Sequence, residues 1–328
     1  MNETSSTAFV RYPYCDSHDQ LDVYNVSYER QENLLAGAIY AFLGMITIFP
    51  NILVLVLICR HPLNTHSCFK FLALIGIIDL ANLILACPVS GFLSIFKATH
   101  CKHGAVVTTI GYLSMITWTC SSASHLIMAI NRILEFANKR LSQKLFYGIR
   151  SCSWAVPVLL YGCLLNTLAQ RPYYVYDPFG GGWIYSVIVD GHLSQNNLIL
   201  LVNNVGISLI LIFLYVILIL FVYKNRRKTE RTKNRMQLKV TQQSIVSGVI
   251  SIIVMIVSLY NKNGSSRMSS KYAPMATHLA WIAVHGSTAY IVLFTNPYVK
   301  RQLLKLLGCK RAPVASVATA TPISYTNF

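Results

Sequence analysis

The sequence predicts an all-α membrane protein, a seven-transmembrane helix bundle with a short interfacial eighth helix. The chain has 328 residues, of which 54% are hydrophobic and only 12% are charged, and its mean hydropathy is +0.49. Soluble domains carry about a quarter charged residues. Seven apolar stretches and an uneven distribution of basic residues between the intervening loops complete the argument. This composition excludes an ordinary cytosolic enzyme and a disordered chain.

The seven apolar stretches are each long enough to cross a hydrocarbon layer of about 30 Å as a helix rising about 1.5 Å per residue. Six contain no Asp, Glu, Lys or Arg, and the second contains Asp79. Membrane β-strands would be about 10 residues long and would alternate apolar with polar residues. We therefore predict helices. The stretches are 34–58, 71–95, 104–130, 151–169, 198–222, 240–260 and 274–296.

The basic residues predict an N-terminus on the outside. Alternate segments carry 20 of the 28 Lys and Arg residues, and their only acids are Glu135 and Glu230. Such an excess marks the cytoplasmic side. The net charge of +17 is thus explained by topology and by attraction to an anionic inner leaflet, and no nucleic-acid partner is expected. The basic segments are 59–70, 131–150, 223–239 and the tail after 296.

The predicted organisation has four parts: an extracellular segment (1–33), the transmembrane domain (34–297), an interfacial helix (298–309) and a disordered cytoplasmic tail (310–328). The first segment lacks the apolar core of a signal peptide. The interfacial helix places apolar residues on one face and basic residues on the rest, which suits the inner membrane surface. Cys309 at its end is a candidate for palmitoylation.

Several residues predicted to lie outside are candidates for modification. Asn2, Asn25 and Asn263 begin N-glycosylation sequons. Cys15 and Cys101 are the cysteines on the side where disulfides form, and we expect them to pair. Histidines flank Cys101, but no fourth ligand is evident, so neither a metal nor a cofactor is expected. The glycine-rich loop 177–183 lacks the setting of a phosphate loop and is interpreted as a turn with an aromatic lid.

Polar residues inside or at the ends of the spans indicate functional positions, because polar groups are costly in lipid. The pattern resembles that of rhodopsin-like receptors. That resemblance implies a switch around Asp79, with Asn51 and Asn296 as its polar neighbours. The residues that carry it are Asn51, Asp79, Arg132, Trp154 and the pair Asn296–Pro297, in this order along the seven spans.

A closer resemblance is to the nematode serpentine chemoreceptors of class T, over about residues 34–308. It is carried by Ser67–Cys68–Phe69–Lys70 running into Leu74–Ile75–Gly76–Ile77–Ile78–Asp79, by Asn131–Arg132, by Asp177–Pro178–Phe179, and by His192 with Asn196–Asn197. The resemblance implies a G-protein-coupled receptor for small environmental chemicals. Its implied partners are a heterotrimeric G protein, a small-molecule ligand and the lipid bilayer. Its implied location is the plasma membrane of sensory neurons, with sensory cilia as one candidate site.

The inner face contains the candidate coupling residues. Asn131 stands where rhodopsin-like receptors have an acid before the arginine, and Glu135 is within reach of Arg132 at i+3 on a helix. The sixth span has no proline, so Gly248 is the candidate position for a bend. The full candidate set is Asn131, Arg132, Glu135, Arg226, Arg227 and Lys228.

The candidate ligand pocket combines two helix faces. Ser114, Met115 and Trp118 share a face of the third span, and His278, Trp281 and His285 share a face of the seventh. One interpretation makes them the floor and wall of an outward-facing pocket. The other makes them helix-packing residues with satisfied polar groups. His125 lies deeper and is assigned to packing.

Other function classes are less consistent with the sequence. A transporter would show internal repeats and polar, interrupted spans, and neither is evident. A multi-pass transporter, a ligand-gated channel and a neuropeptide receptor of the same fold remain alternatives. No span contains a recognisable catalytic motif, so the chain is not expected to be an enzyme.

Overall fold

The computed structural model describes residues 26–98, 100–168, 174–178, 180–185, 187–189, 192–194, 198–224, 241–246, 248–250, 252–253 and 273–308. Most of them are helical. In chain order the helices are α1 (Val26–Ile58), α2 (Ser67–Ile84), α3 (Ser90–Ile95), α4 (His100–Ala137), α5 (Lys139–Phe146), α6 (Arg150–Ser153), α7 (Ala155–Leu168), α8 (Leu198–Lys224), α9 (Ala273–Thr295) and α10 (Pro297–Leu306).

Six helices within the described residues are long and apolar enough to cross a membrane. They match six of the seven predicted spans. The remaining predicted span, at 240–260, is described only in part, and its described parts (241–246, 248–250 and 252–253) are helical. The six are Asn33–Ile58, Ser67–Ile95, His103–Ala137, Arg150–Leu168, Asn203–Phe221 and Pro274–Thr295.

Several boundaries differ from the sequence prediction, and those at the two ends of the bundle are the clearest. Helix α1 begins at Val26, so the last part of the predicted extracellular segment is a helical extension of the first span. Polar residues can continue a helix beyond the bilayer because the backbone bonds are made within the helix. The final helix, α10, runs from Pro297 to Leu306 and is shorter than the predicted 298–309.

Helix α4 lies at the centre of the described bundle. It packs against α2, α7 and α8, and its outer part contacts a β-strand. Helix α9 packs against α1 and α2 on the other side. Helices α1 and α3 approach closely because Gly37 and Gly91 face each other, which is the usual role of small residues between membrane helices.

A π turn interrupts the second span. It covers Leu85–Val89, contains Pro88, and joins α2 to α3. Proline cannot donate a backbone hydrogen bond, which favours such an irregularity. The Ser90 N–H bonds back to Leu85 O, five residues earlier, instead of to Ala86 O. This leaves the Ala86 carbonyl oxygen accessible to a side chain from another helix.

The loop between α7 and α8 contains two short hairpins. Strand β1 (Tyr174–Asp177) pairs antiparallel with β2 (Gly182–Tyr185), and Val175 lies opposite Ile184. Strand β3 (Val187–Val189) pairs with β4 (His192–Ser194). The first hairpin contacts both α4 and α9. It therefore lies across the predicted outer end of the bundle.

Candidate functional site

The first hairpin is anchored in the bundle by its aromatic side chains. Trp183 is buried, and its Nε1–H donates to Ser90 Oγ at 2.8 Å. Tyr176 is also buried and shares a hydrogen bond with Ser94. Burial raises the pKa of the Tyr176 hydroxyl, which keeps it protonated. Tyr40 on α1 donates to the Gly181 carbonyl. The loop was predicted to be a turn. It instead forms a β-hairpin that is hydrogen-bonded to the helices.

Glycines allow this close seating. A Cβ on Gly111 of α4 would overlap the Tyr174 carbonyl and lie 3.2 Å from the Trp183 ring. A Cβ on Gly182 would overlap the Pro274 backbone at the start of α9. Both positions need a residue without a side chain.

Below the hairpin, four of the six predicted pocket residues form a continuous cluster. His278 packs against Trp281 with ring centroids 5.5 Å apart, and Trp281 packs against His285 at 6.4 Å. Trp118, on α4, packs against His285 with ring centroids 5.9 Å apart. All three contacts are edge-to-face, the preferred arrangement of aromatic rings.

The other two predicted pocket residues are buried in α4. Ser114 donates to the Ile110 carbonyl of its own helix, and Met115 is 2% exposed. Neither forms a hydrogen bond with the histidine and tryptophan side chains of the cluster among the described residues. For these two, the packing interpretation fits better.

The tryptophans are held by asparagines that the sequence analysis did not select. Trp281 Nε1 donates to Asn82 Oδ1 at 3.2 Å, and Thr117 donates to the same oxygen at 3.0 Å. Trp118 Nε1 donates to Asn204 Oδ1 on α8 at 3.3 Å. The spacing of Asn82 and Asp79, one turn apart on one face of α2, was a usable signal. The cluster therefore ties together α2, α4, α8 and α9.

Asp79 is bonded to His285. Its Oδ1 lies 2.7 Å from His285 Nδ1, and both side chains are 1% exposed. This corrects the expected neighbours. Asn51 donates to Thr47 O in its own helix, and Asn296 Oδ1 accepts from the N–H groups of Tyr298 and Val299. The partner comes from α9, among residues that the sequence analysis assigned to the ligand pocket.

A small cavity lies one helical turn inward of this pair. His125, Gln243, Ser244 and Thr288 contribute its polar lining. Asn296 donates to Gln243 Oε1 at 3.3 Å, and Gln243 donates to Thr295 Oγ1 at 2.9 Å. The described part of the sixth span is thereby linked to the inner end of α9. His125, assigned to packing, is buried beside this cavity.

Arg132 is fully buried at the inner end of α4, although the sequence suggested an exposed position. Its guanidinium donates to the Asn131 side-chain oxygen. Glu135, predicted to be within reach of Arg132, accepts a hydrogen bond from Ser142 on α5 at 2.8 Å. The two side chains therefore have different partners, Asn131 for Arg132 and Ser142 for Glu135. Around it, Lys139, Arg140 and Lys144 are exposed.

Several predicted residues lie outside the described part of the chain. For Cys101 the backbone is helical, and its side chain is not described. The others are Cys15 of the predicted disulfide, the sequon residues Asn2, Asn25 and Asn263, the basic residues Arg226, Arg227 and Lys228, Cys309, and the tail 310–328. Among the described residues, no group of three or more His, Cys, Asp or Glu side chains is arranged to hold a metal ion.

The described helices define an almost entirely helical, multi-pass membrane protein. A family model described as the serpentine type 7TM GPCR chemoreceptor Srt matches residues 8–316. The chain belongs to this family. The resemblance to class T serpentine receptors inferred from the sequence is confirmed, as is the seven-helix fold class. No protein of curated function matches the chain significantly.

Proposed function

We propose that this receptor detects a small extracellular chemical at the histidine and tryptophan cluster and activates a heterotrimeric G protein through its inner face. The 2.7 Å bond between Asp79 and His285 carries the proposal. It joins α9, which lines the cluster, to α2 about one helical turn outward of the inner cavity. A ligand that displaces His285 would act directly on that bond.

A chain of ring contacts and hydrogen bonds connects the proposed ligand site to the inner face. Receptors transmit a signal when a ligand binds one conformation more tightly than another. The cluster contacts four helices, and the Gln243 bridge links the sixth span to α9 below it. Movement of α9 at His285 would therefore displace the sixth span at Gln243. Contiguous packed and hydrogen-bonded groups of this kind can couple two sites.

The inner face offers cationic groups to a partner. Lys139, Arg140 and Lys144 on α5 are exposed, as are Lys300 and Arg301 on α10. Exposed cations suit an acidic or helical partner, whose last carbonyls carry partial negative charge. Arg132 lies buried behind them, where it would be uncovered if the sixth span moved outward.

The proposed location is the plasma membrane, with the N-terminus outside. The basic residues on alternate loops support this orientation. An engineered glycan acceptor within 223–239 should remain unmodified in cells, while one placed before residue 25 should be modified. Glycosylation at 223–239 would reverse the topology and remove the receptor proposal.

The decisive experiment is expression of the whole chain with a promiscuous G protein, followed by screening with volatile and water-soluble chemicals. A nucleotide-dependent response that is absent in Arg132→Ala supports the proposal. Ion current without any G-protein requirement would instead identify a ligand-gated channel. The Ser114→Ala variant is a control, because that hydroxyl bonds within its own helix.

A further inference from the structure

The cluster contains buried polar atoms that have no hydrogen-bond partner among the described residues. They are His278 Nδ1, His285 Nε2 and Asp79 Oδ2. The three side chains are 1–2% exposed. Buried polar atoms are nearly always paired in folded proteins. Three such atoms along one run of contacting side chains therefore point to a ligand that bonds to them.

The existing hydrogen bonds fix the chemical character of these atoms. His278 Nε2 lies 2.8 Å from the Ala86 carbonyl oxygen, which can only accept. Nε2 therefore carries the hydrogen, and Nδ1 of the neutral ring is an acceptor. When the Asp79–His285 pair shares one proton, His285 Nδ1 donates to Asp79 Oδ1. Nε2 of His285 and Oδ2 of Asp79 are then acceptors as well.

The site also contains an acidic side chain. Among the described residues, Asp79 pairs with His285, and no Lys or Arg pairs with it. The other titratable groups around the pair are His125 on α4, His278 on α9 and Tyr40 on α1, which packs on His278. Helix α8 and the described part of the sixth span contribute only amides and hydroxyls here, such as Asn204 and Gln243. The Oδ2 atom of Asp79 is buried without a partner among the described residues, so a donor that carries a positive charge would stabilise it.

The aromatic side chains add a third preference. The N–H groups of Trp118 and Trp281 are already bonded to Asn204 and Asn82. The indoles therefore have no donor left for a ligand and offer only their ring surfaces. Indole faces attract ammonium groups.

We propose that the ligand of this cluster is a small organic ammonium ion. One of its N–H groups would donate to Asp79 Oδ2, and its apolar part would pack on Trp118 and Trp281. An alcohol of the same shape has one hydrogen to donate and no charge, and a carboxylate would be repelled by Asp79. The inference depends on the proposed function only in placing the ligand at this cluster.

The test uses the purified full-length receptor in lipid nanodiscs without a G protein. Binding is measured for sets of equal shape: an alkyl or arylalkyl ammonium, the matching alcohol and the matching carboxylate, with sodium and potassium chloride compared as salts. We expect at least one ammonium ion to bind tenfold or more tightly than its alcohol, and no carboxylate to bind. Asp79→Asn should weaken ammonium binding at least tenfold. Asp177→Asn, the same change on the hairpin, should leave binding within about twofold.

Tighter or equal binding of the alcohols or carboxylates would overturn the inference. So would ammonium binding that Asp79→Asn leaves unchanged, or stabilisation by sodium alone with no ammonium binding across the sets. A parallel G-protein assay separates the two proposals. Binding of ammonium without nucleotide exchange contradicts the proposed function, whereas exchange driven only by neutral chemicals contradicts the ligand class.

Discussion

The ring of Tyr215 on α8 packs directly against the backbone of Gly248 in the sixth span. A Cβ built on Gly248 would overlap the ring and the hydroxyl oxygen of Tyr215. Tyr215 is 3% exposed, and its hydroxyl has no partner among the described residues. The contact fixes the separation of these two helices at the position where the sequence predicted a bend.

Gly248→Ala should therefore destabilise the receptor. Inserting a methyl group into a filled contact costs about 1–3 kcal/mol. Gly206→Ala is the matched control, because no heavy atom lies within 4 Å of a Cβ at that position. There the substitution should be neutral or stabilising by about 0.5–1 kcal/mol. Thermal unfolding of the purified proteins measures both, and equal melting temperatures for the two variants would contradict the packing argument.

The Asp79–His285 pair should respond asymmetrically to removal of either partner. His285→Leu leaves a buried carboxylate without a partner, which costs about 3–5 kcal/mol. Asp79→Asn leaves two neutral side chains and should largely preserve surface expression. Adding Asp79→Asn to His285→Leu should recover part of the lost stability. A double-mutant cycle in denaturant measures the coupling, and additive effects would show that the two side chains do not interact.

Asp79→Asn should also change signalling or its sodium dependence, because it removes the charge from the centre of the proposed switch. Dose–response curves for G-protein activation at several ionic strengths and in sodium or potassium salts provide the measurement. A curve identical to that of the unmodified receptor under all these conditions would remove Asp79 from the switch.

Arg132→Ala should abolish G-protein activation. The side chain is buried at the inner end of the central helix, so Arg132→Met serves as a packing control of similar length. Both variants should lose nucleotide exchange, and the methionine variant should keep surface expression and ligand binding within a few-fold. Loss of surface expression in both would assign Arg132 to folding, and full signalling by either would exclude it from coupling.

Asn296 should matter for two separable reasons. Its Oδ1 caps α10 by accepting from Tyr298 N and Val299 N, and its Nδ2 donates to Gln243. Asn296→Ala removes both functions and should cost about 0.5–2 kcal/mol locally through the cap. Asn296→Asp keeps the cap and loses the donor. Amide hydrogen exchange over 297–306 should accelerate in the alanine variant only, while acceleration in both would assign α10 stability to the Gln243 bridge.

Sequence patterns predicted the spans and the residues that share a helix face. His278, Trp281 and His285 were placed on one face of α9 because they recur at helical spacing, and their ring contacts follow from it. The motifs and their order along the chain also indicated the family, which the family model confirms. Spacing within one helix is a local property, and local properties can be read directly from the sequence.

Contacts between helices were harder to predict. Asp79 was expected near Asn51 and Asn296, and it bonds His285 instead. Which polar groups meet depends on the rotation and axial position of each helix relative to its neighbours, which hydropathy does not specify. The hydrogen bond from Trp183 to Ser90 likewise joins residues 93 positions apart in the chain. Arg132 is buried and donates to its own neighbour, Asn131, a contact that the spacing to Glu135 did not predict.

The π turn at Leu85–Val89 also changes the direction in which side chains project from the second span. Residues before the turn and residues after it no longer share one regular helical repeat. Each helical residue advances by about 100°, and a π turn contains one residue more than the α turn it replaces. Ser90 and Ser94 bond to the hairpin. Their angular positions around the helix axis are therefore shifted by about one residue relative to Asp79 and Asn82. A single deletion between 85 and 89 would rotate the outer part of the span by about 100° and leave the inner part in place. Length variation at this turn would let related receptors reorient their outer surfaces while keeping the same inner machinery.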